Sequence, residues 1–330
     1  MTAVNSFLHT FSIYVILGTL LSFILAQFSI RILGLREVSS KIRLMYLTLT
    51  IPFLAYLVIQ VLFPRVGIYQ VYQASTSELR YLFAVMCQIG YWVSLIITPF
   101  AMLVVALIAA KITLGIWTGK QLITRFGYAS DKKYPEVFAV LQQLADKLRI
   151  APPRVVVASG LGYDAFTIGW LRPVIVLSRQ LIESIDTDEL EAVLAHELAH
   201  VRRRDNLTNW IAGVLRDLMF FTPVAFWSYA ILRDEKEKAA DDLAVNITGK
   251  PLVYGATLIK IWKKARESGF DKMKGWGFYA VASSYLGSKN LLAARIHRVL
   301  ERPQVPSSNC FMSVYLLIIF SVGFFLSFVC

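Results

Sequence analysis

The chain has 330 residues, of which 56% are hydrophobic and 17% are charged, and its formal net charge is +12. Soluble domains carry about 25% charged residues on average, so this composition excludes an ordinary soluble protein and favours a membrane protein with basic, lipid-facing loops. The basic residues form no run interleaved with stacking aromatic residues, which argues against nucleic-acid binding.

Four apolar stretches are long enough to cross a bilayer, which takes roughly 20 residues. They are Phe11 to Ile30, Leu44 to Phe63, Leu82 to Trp117 and Phe311 to Val329. The first has neither a basic cluster before it nor a small-residue cleavage site after it, so we expect it to stay in the mature protein. The sequence therefore predicts four transmembrane helices.

Basic residues in the short loops predict the orientation, because Lys and Arg near helix ends tend to stay in the cytosol. The first loop carries four of them, and the far end of the third helix carries three more. The second loop, Pro64 to Tyr81, holds only Arg65 and Arg80. We therefore expect both termini outside and the polar region after the third helix in the cytosol.

A mixed pattern follows the third apolar stretch. Tyr134 to Ile150 has apolar residues at helical spacing. Val155 to Ala158 and Val174 to Leu177 are typical of short strands. Between them lies the glycine-bounded run Tyr163 to Gly169, which the pattern leaves open as an exposed strand or a turn.

The next helix, capped by Asp186 or Thr187, carries the chemistry. His196 and His200 are four residues apart, so at about 100° per residue their side chains lie roughly 40° apart on one face. Two imidazoles can then hold one metal ion, and Glu197 projects beside them, where a carboxylate can take a proton from a metal-bound water. Two of the four His in the chain fall in this HExxH pattern. The alternative is a helix whose two His have a purely structural role.

The segment from Leu207 to Leu232 is apolar, but Arg216, Asp217 and Pro223 interrupt it. A charge at mid-bilayer costs several kcal/mol unless it is paired. We therefore predict two helices that pack in the domain core or graze the membrane. The alternative is a re-entrant hairpin lined by an Arg216–Asp217 pair, which would bring the active site to the bilayer surface.

A catalytic zinc site needs a third protein ligand and a position open to water. Glu237 and Asp241 are four residues apart in a segment with a helical pattern. We predict that Glu237 completes a two-His, one-Glu site for one Zn2+ per chain, and that Asp241 accepts the second N–H of a ligand His. The alternative is a solvated acidic face, to which we assign Glu235 and Asp242.

Three motifs of the polar region share a pattern with a known family. They are Gly169-Trp170-Leu171-Arg172-Pro173, the run from His196 to Asn206 with basic residues and Asp205 after the second His, and Glu237 to Asp241. Together they resemble the BlaR/MecR-type integral-membrane metallopeptidases, over about Val155 to Leu300. The resemblance implies that His196, His200 and Glu237 bind zinc and that Glu197 is the base.

The resemblance also implies a place and a fold. The expected fold is a mainly α membrane protein with a small β-sheet, composed of four transmembrane helices and a cytosolic α+β gluzincin metallopeptidase domain in a bacterial-type plasma membrane. Family members often have Cys where this chain has Ala240, and we expect no penicillin-binding sensor domain after the fourth helix. The predicted domains are 1–118 with three transmembrane helices, 119–309 with the zinc peptidase, and 310–330 with the fourth helix.

The run Asp164-Ala165-Phe166 also resembles the edge-strand motif of the HtpX-type peptidases, a sister group with the same HExxH and ExxxD signals. The resemblance implies that these three residues bind substrate, since an exposed edge strand can align a substrate backbone by strand addition. The alternative is a buried turn that packs Phe166 into the core.

The resulting hypothesis is a zinc-dependent integral-membrane endopeptidase that attacks peptide bonds with a metal-activated water. The leading interpretation is a regulatory protease that cleaves a cytosolic protein, such as a repressor, or itself. Its expected partners are a protein substrate in the cytosol or at the membrane surface, the lipid bilayer, and a homo-oligomer or sensor chain. The alternative is an HtpX-like protease for quality control of membrane proteins. A non-catalytic signalling scaffold is a third interpretation, which the intact Glu197 disfavours.

Overall fold

The computed structural model describes residues 3–32, 34–35, 37–58, 76–267, 289–301 and 311–326. These ranges are mostly helical and contain a three-stranded sheet, as predicted. The membrane-side helices are α1 (Ala3–Ile32), α2 (Val38–Tyr56), α3 (Ser77–Phe126) and α11 (Phe311–Leu326). The other elements are α4 (Pro135–Leu148), β1 (Arg154–Ala158), β2 (Ala165–Ile168), β3 (Val174–Ser178), α5 (Arg179–Ile182), α6 (Thr187–Arg203), α7 (Asp205–Leu218), α8 (Pro223–Thr248), α9 (Pro251–Glu267) and α10 (Lys289–Glu301).

The chain divides into two compact units. The first comprises Met1–Ala110, Ile211–Glu235 and Val305–Cys330, and the second comprises Lys111–Trp210 and Lys236–Gln304. In the first unit, α1, α2 and α11 pack against one another. The segment from Leu207 to Leu232 forms most of α7 and the start of α8, two helices as predicted, and its Arg216 and Asp217 form an ion pair.

Two helices of the described residues are long and apolar enough to cross a membrane, Phe11–Ile32 within α1 and Pro99–Phe126 within α3. Met102 is 79% exposed and Leu103 is 53% exposed, as lipid-facing side chains on a spanning helix would be. The shorter segment Met312–Leu326 of α11 is also apolar.

The structure thus supports two of the four predicted spans by length and composition. In the second predicted span, α2 begins at Val38 and includes Lys41 and Arg43, which lower its mean hydropathy, and residues 59–63 lie outside the described residues. Residues 327–329 of the fourth predicted span also lie outside the described residues. The same holds for most of the second loop and for two of the cysteines, at positions 310 and 330.

The sheet of the second unit has the order β1-β3-β2. β3 pairs with β1 in parallel and with β2 in antiparallel register, with Phe166 opposite Val176. All five residues of the central strand β3 are buried. β2 is therefore an edge strand, so the run from Tyr163 to Gly169 forms a strand rather than only a turn.

Helix α6 lies at the centre of the second unit, where it packs against α4, α9 and β2. Its N-terminus is fixed by a capping box, in which Asp186 accepts from the Glu189 backbone N–H at 2.9 Å and Glu189 accepts from the Asp186 N–H at 3.0 Å. All residues from Ala192 to His200 are buried. Arg204 ends the helix in the left-handed conformation, with φ 54°, so the chain turns sharply and α7 begins at Asp205.

Candidate metal centre

Three side chains of the second unit converge on one point. Nε2 of His196 lies 3.1 Å from Nε2 of His200. Glu237, on α8, places Oε2 3.6 Å from the first of these nitrogen atoms and Oε1 3.8 Å from the second. Both imidazoles are buried, whereas the Glu237 side chain is 27% exposed. Part of the Glu237 side chain therefore reaches the surface, while its Oε2 atom is buried beside His196.

The spacing of these atoms fits a zinc ion. Zinc binds His nitrogen and carboxylate oxygen at about 2.0–2.2 Å in tetrahedral geometry, so its ligand atoms lie about 3.3–3.6 Å apart. The three observed separations, 3.1, 3.6 and 3.8 Å, surround that range. Two His and one Glu are also a ligand set of catalytic zinc sites, which keep a fourth position for water.

A carboxylate of the next helix orients His200. Its Nδ1 donates a hydrogen bond to Oδ2 of Asp205 at 2.9 Å, which leaves the Nε2 lone pair for a metal. Burial would raise the pKa of Asp205, but the hydrogen bond from His200 and the nearby charges of Arg203 and Lys236 lower it. Asp205 is therefore a buried anion fixed on the far side of the ring.

Lys236 supports this carboxylate from α8. Its Nζ lies 3.5 Å from Asp205 Oδ1 and donates to Thr208 at 2.7 Å and to Asn209 at 2.6 Å. Burial lowers the pKa of Lys236 to about 8, against the opposing effect of Asp205. The residue before Glu237 in the chain thus connects the ligand helix α8 to the start of α7.

A tyrosine and a carboxylate orient His196. Its Nδ1 lies 2.8 Å from Oη of Tyr254 and 3.2 Å from Oδ1 of Asp241. Tyr254 donates to Asp241 Oδ1 at 2.6 Å, so the hydroxyl is an acceptor for the ring N–H. Arg295, on α10, completes the network by donating from Nε and Nη2 to the two oxygens of Asp241 at 2.7 and 2.6 Å.

These contacts make the site strongly polar despite its burial. Burial alone would lower the pKa of His196, but the hydrogen bonds to Asp241 and Glu237 outweigh it and raise that pKa to about 9. Burial would raise the pKa of Glu237, but the hydrogen bond to His196 and the charge of His200 lower it to about 2. Asp241 is held well below its usual pKa by Arg295 and His196, which overcome its burial. A cation between the two imidazoles is therefore favoured.

Glu197 faces the sheet rather than the ligand helix. Its side chain is 1% exposed, and Oε2 accepts a hydrogen bond from the Thr167 hydroxyl of β2 at 2.7 Å. Oε1 is buried and has no hydrogen-bond partner within the described part of the chain. Buried carboxylate oxygens are normally paired, so this atom suits a group that receives a proton from a bound molecule.

The three residues of the predicted substrate-binding run are buried. Asp164 is 4% exposed, and its Oδ1 accepts from the backbone N–H of Ala165 at 3.0 Å. Phe166 is 3% exposed and packs in a small apolar cluster with Val156, Val176 and their neighbours. Phe166 thus packs as the buried-turn alternative expected, although its backbone is in a strand. The side chains of this run are therefore not available to a substrate.

Sequence reasoning missed part of the network and misplaced one residue. Glu235 is not on a solvated face, since it is only 5% exposed; Asp242 is partly exposed and pairs with Arg298. Thr167 and Asp205 lie within sequence motifs that were already identified, so both could have been proposed as site residues from the sequence. Tyr254 and Arg295 come from separate helices, 58 and 54 residues from the partners that they bind, and no local pattern marks them.

Two ion pairs between α8 and α10 allow a matched test of the Asp241 network. Arg295 binds Asp241, which lies beside His196. Arg298 binds the next residue, Asp242, with its Nε and Nη2 atoms 3.1 and 2.7 Å from the two carboxylate oxygens. Arg295→Lys keeps the charge but loses the two-pronged contact. We expect it to weaken zinc binding by about 10- to 100-fold, the usual effect of removing a group that orients a ligand.

The Arg298→Lys variant is the control, because it alters the same helix pair outside the site. Zinc affinity measured with a competing chelator is expected to change less than about twofold for this variant. Equal affinities for the two variants would contradict the role assigned to Arg295. Thermal unfolding of both proteins verifies that each is folded.

Comparison with known proteins places this geometry in a family. The chain matches the family model described as "BlaR1 peptidase M56" over residues 70–277, which is more than half of its length. It is 26% identical over 207 residues to the protease HtpX homolog of Acaryochloris marina, with 60% of this chain and 68% of that protein covered. It is 28% identical over 220 residues to the protease HtpX homolog of Acidiphilium cryptum (56% and 76% covered), and 28% identical over 172 residues to that of Pyrococcus furiosus (42% and 60% covered). The chain is a membrane metallopeptidase that belongs to the BlaR1 peptidase M56 family.

Proposed function

We propose that this protein is a zinc endopeptidase of the HtpX type, which cuts membrane proteins whose segments become extended at the membrane surface. The observation that carries the proposal is the convergence of His196, His200 and Glu237, combined with the buried carboxylate of Glu197, which directly follows His196 in the chain. A structural metal site has no use for such a carboxylate. The three relatives described above, each a protease HtpX homolog, support a protease of this type.

The chemistry divides among the residues of the site. Zinc in a site of this kind lowers the pKa of a bound water to about 7 and polarises the substrate carbonyl. Glu197 accepts the proton at Oε1 and returns it to the leaving amine. Thr167 holds Oε2 at 2.7 Å, so the carboxylate keeps one orientation. Asp205 and Tyr254 fix the two imidazoles.

The free edge of β2 is suited to align the substrate. The Ser178 N–H donates to the Asp164 carbonyl at 3.0 Å, so this pair is hydrogen-bonded, and every second residue from Asp164 onward turns its backbone towards β3. Ala165 and Thr167 therefore direct their backbone groups away from β3. These two residues together carry four backbone groups, two N–H and two carbonyls. Two of the four already have hydrogen-bond partners: the Ala165 N–H donates to Asp164, and the Thr167 carbonyl accepts from Asn206.

Ala165 is completely buried, so of the two remaining groups it is the Thr167 N–H that can be offered at the outer edge. A backbone donor at a strand edge can pair with a carbonyl of an extended peptide. The same Thr167 binds Glu197 through its side chain. We propose that a substrate strand added at this edge passes beside the base, with the Thr167 N–H contributing a backbone contact next to the buried Asp164-Ala165-Phe166 run.

The membrane topology is part of the proposal. α2 and α11 pack on α1, which contains a segment long enough to span, so we propose that all three cross the bilayer together with α3. Both termini then lie outside, and the catalytic domain, 119–309, lies in the cytosol, as the basic loops predict. Every residue of the metal centre lies within that domain.

A regulatory protease is the second candidate. The match to the BlaR1 peptidase family model favours it. Such a protein would cut one cytosolic protein, such as a repressor, or itself, on a signal from a sensor chain or an oligomeric partner. The metal centre is the same for both candidates, so the range of substrates distinguishes them.

The test uses the full-length protein in lipid vesicles with zinc. Several unrelated membrane proteins, each in a folded and in a destabilised form, are incubated with it, and the fragments are identified by mass spectrometry. We expect cleavage of the destabilised forms of most of them and little cleavage of the folded forms. The Glu197→Gln protein is the blank. Cleavage restricted to the enzyme itself or to a single cytosolic protein would contradict the HtpX-type proposal and favour the regulatory one.

A further inference from the structure

The turn between β2 and β3 has a fixed conformation. It contains Gly169, Trp170, Leu171, Arg172 and Pro173, called the tip below. Gly169 has φ +87°, a value that L residues with side chains rarely adopt. A Cβ atom at this position would lie 2.6 Å from the carbonyl oxygen of Arg172. The close approach of these two backbone segments therefore requires glycine and defines the turn.

Two contacts fasten the tip to α7. The side-chain amide of Asn206 donates to the carbonyls of Thr167 at 2.9 Å and Gly169 at 3.2 Å. The Trp170 ring lies against the Trp210 ring, with 4.6 Å between centroids and 34° between planes. The tip is thus connected to the end of the edge strand and to a helix that begins with Asp205, the partner of His200.

The tip holds one large apolar side chain in water. Leu171 is 85% exposed, the highest value among the exposed large hydrophobic residues of the described chain. Single exposed apolar residues are common and need no explanation. Here, however, the exposed residue is on a rigid turn, between a tryptophan and an exposed arginine. Trp with Leu and Arg is the composition of segments that lie in the interface of a membrane.

The position of Trp210 on α7 indicates what kind of surface the tip contacts. After Trp210, α7 continues with Ile211, which is 42% exposed and is the first residue of the segment assigned to the unit of apolar helices. The patch of Trp170, Leu171 and Trp210 is therefore continuous along the chain with the membrane part of the protein. Arg172 adds a positive charge, which anionic headgroups attract.

We propose that Trp170, Leu171 and Trp210 form a membrane-interface anchor, with Leu171 in the boundary between headgroups and acyl chains and Arg172 at the headgroups. The anchor holds the end of β2 at the lipid surface, so that an extended segment leaving the bilayer reaches the edge strand directly. The inference depends on the membrane location of the protein and not on the catalytic assignment. It deepens the proposed function by explaining how membrane proteins reach the site.

A spin label at position 171 tests the anchor. The background is the full-length Glu197→Gln protein with its three cysteines replaced by serine, reconstituted in vesicles of phosphatidylcholine and phosphatidylglycerol. Leu171→Cys carries the label, and Leu252→Cys, at a leucine that is 74% exposed on α9, is the matched control. Collision with oxygen reports the lipid phase, and collision with a water-soluble nickel chelate reports water.

We expect the label at 171 to be accessible to oxygen and protected from nickel in vesicles, and to become nickel-accessible when the protein is moved to an amphipol. The label at 252 is expected to be nickel-accessible in both. A nickel-accessible label at 171 in vesicles overturns the proposal. Because the label reports depth without any turnover, failure of this test is distinct from failure of the proposed protease activity.

A second experiment measures the effect of the anchor on activity, in protein that retains Glu197. In the wild-type background, we expect Leu171→Gln to slow cleavage of a membrane-embedded substrate by about fivefold or more, with turnover of a short soluble peptide unchanged within about twofold. Loss of both activities in equal measure, in a protein that keeps its zinc, would mean that Leu171 contacts substrate instead and would overturn the lipid assignment.

Discussion

Replacement of Glu197 by Gln is expected to lower the rate of peptide hydrolysis by about 1,000-fold, within the range of a general base. This factor corresponds to about 4 kcal/mol of transition-state stabilisation. Gln has nearly the same shape, and its amide can still pair with the Thr167 hydroxyl that holds Oε2 in the native protein. It cannot accept a proton at the position of Oε1. Zinc content should be unchanged, because Glu197 is not among the three converging ligands.

The measurement is single-turnover cleavage of a fluorogenic peptide together with zinc analysis of the same sample. Glu191→Gln is the matched control, since Glu191 lies on the same helix and pairs with Lys250 at 2.7 Å. We expect this control to keep its activity within about twofold. A Glu197→Gln enzyme with normal zinc and a normal rate would remove Glu197 from the mechanism.

Sequence patterns located the metal centre because its geometry is largely local. A helix brings residues four apart onto one face, so the spacing of His196 and His200 already predicted their convergence. Glu237 was predicted from chemistry, since a catalytic zinc site needs a third ligand. The structure places its carboxylate oxygens 3.6 and 3.8 Å from the two imidazole nitrogens.

The supporting network was not predictable in the same way. Tyr254 and Arg295 bind across 13 and 54 residues of sequence to Asp241. Such contacts depend on how α8, α9 and α10 pack, and the packing leaves no periodic signal. The Asp164-Ala165-Phe166 run was expected to be an exposed edge strand, yet Phe166 is buried. Because side chains alternate along a strand, the pattern could place the strand but not tell which backbone groups remain open.

The count of membrane helices shows a different limit. Length and hydropathy placed the first span well, at Phe11–Ile32, whereas the third, predicted as Leu82 to Trp117, lies further along the chain at Pro99–Phe126. In α2, the helix starts six residues before the predicted apolar stretch and includes Lys41 and Arg43. Hydropathy reports how apolar a stretch is, whereas hydrogen bonding and packing decide where its helix begins. A hydropathy average could not detect the exposed tip at Leu171, because one leucine in a polar region does not produce a segment long enough to span a membrane.

Replacement of Glu237 by Gln or Ala is expected to remove zinc from the purified protein and to abolish hydrolysis. Metal-binding free energies in structural zinc sites are about 10–16 kcal/mol. If three ligands share a similar total, the loss of one raises the dissociation constant by at least about 100-fold. Gln keeps the size of the side chain but loses the charge that balances the cation between the two imidazoles. Both variants should therefore lose zinc during dialysis against a weak chelator, and Ala should lose it faster.

Asp242→Asn is the control for this experiment, because it removes a carboxylate from the same helix that binds Arg298 instead of the imidazoles. It is expected to keep one zinc per chain and its full rate. His200→Ala provides the positive reference for a site that has lost a ligand. If the Glu237 variants retained zinc as the Asp242 control does while His200→Ala did not, a different group would have to be the third ligand. The contact of the neighbouring Lys236 with Asp205, the partner of His200, would then hold α8 in place without positioning a zinc ligand.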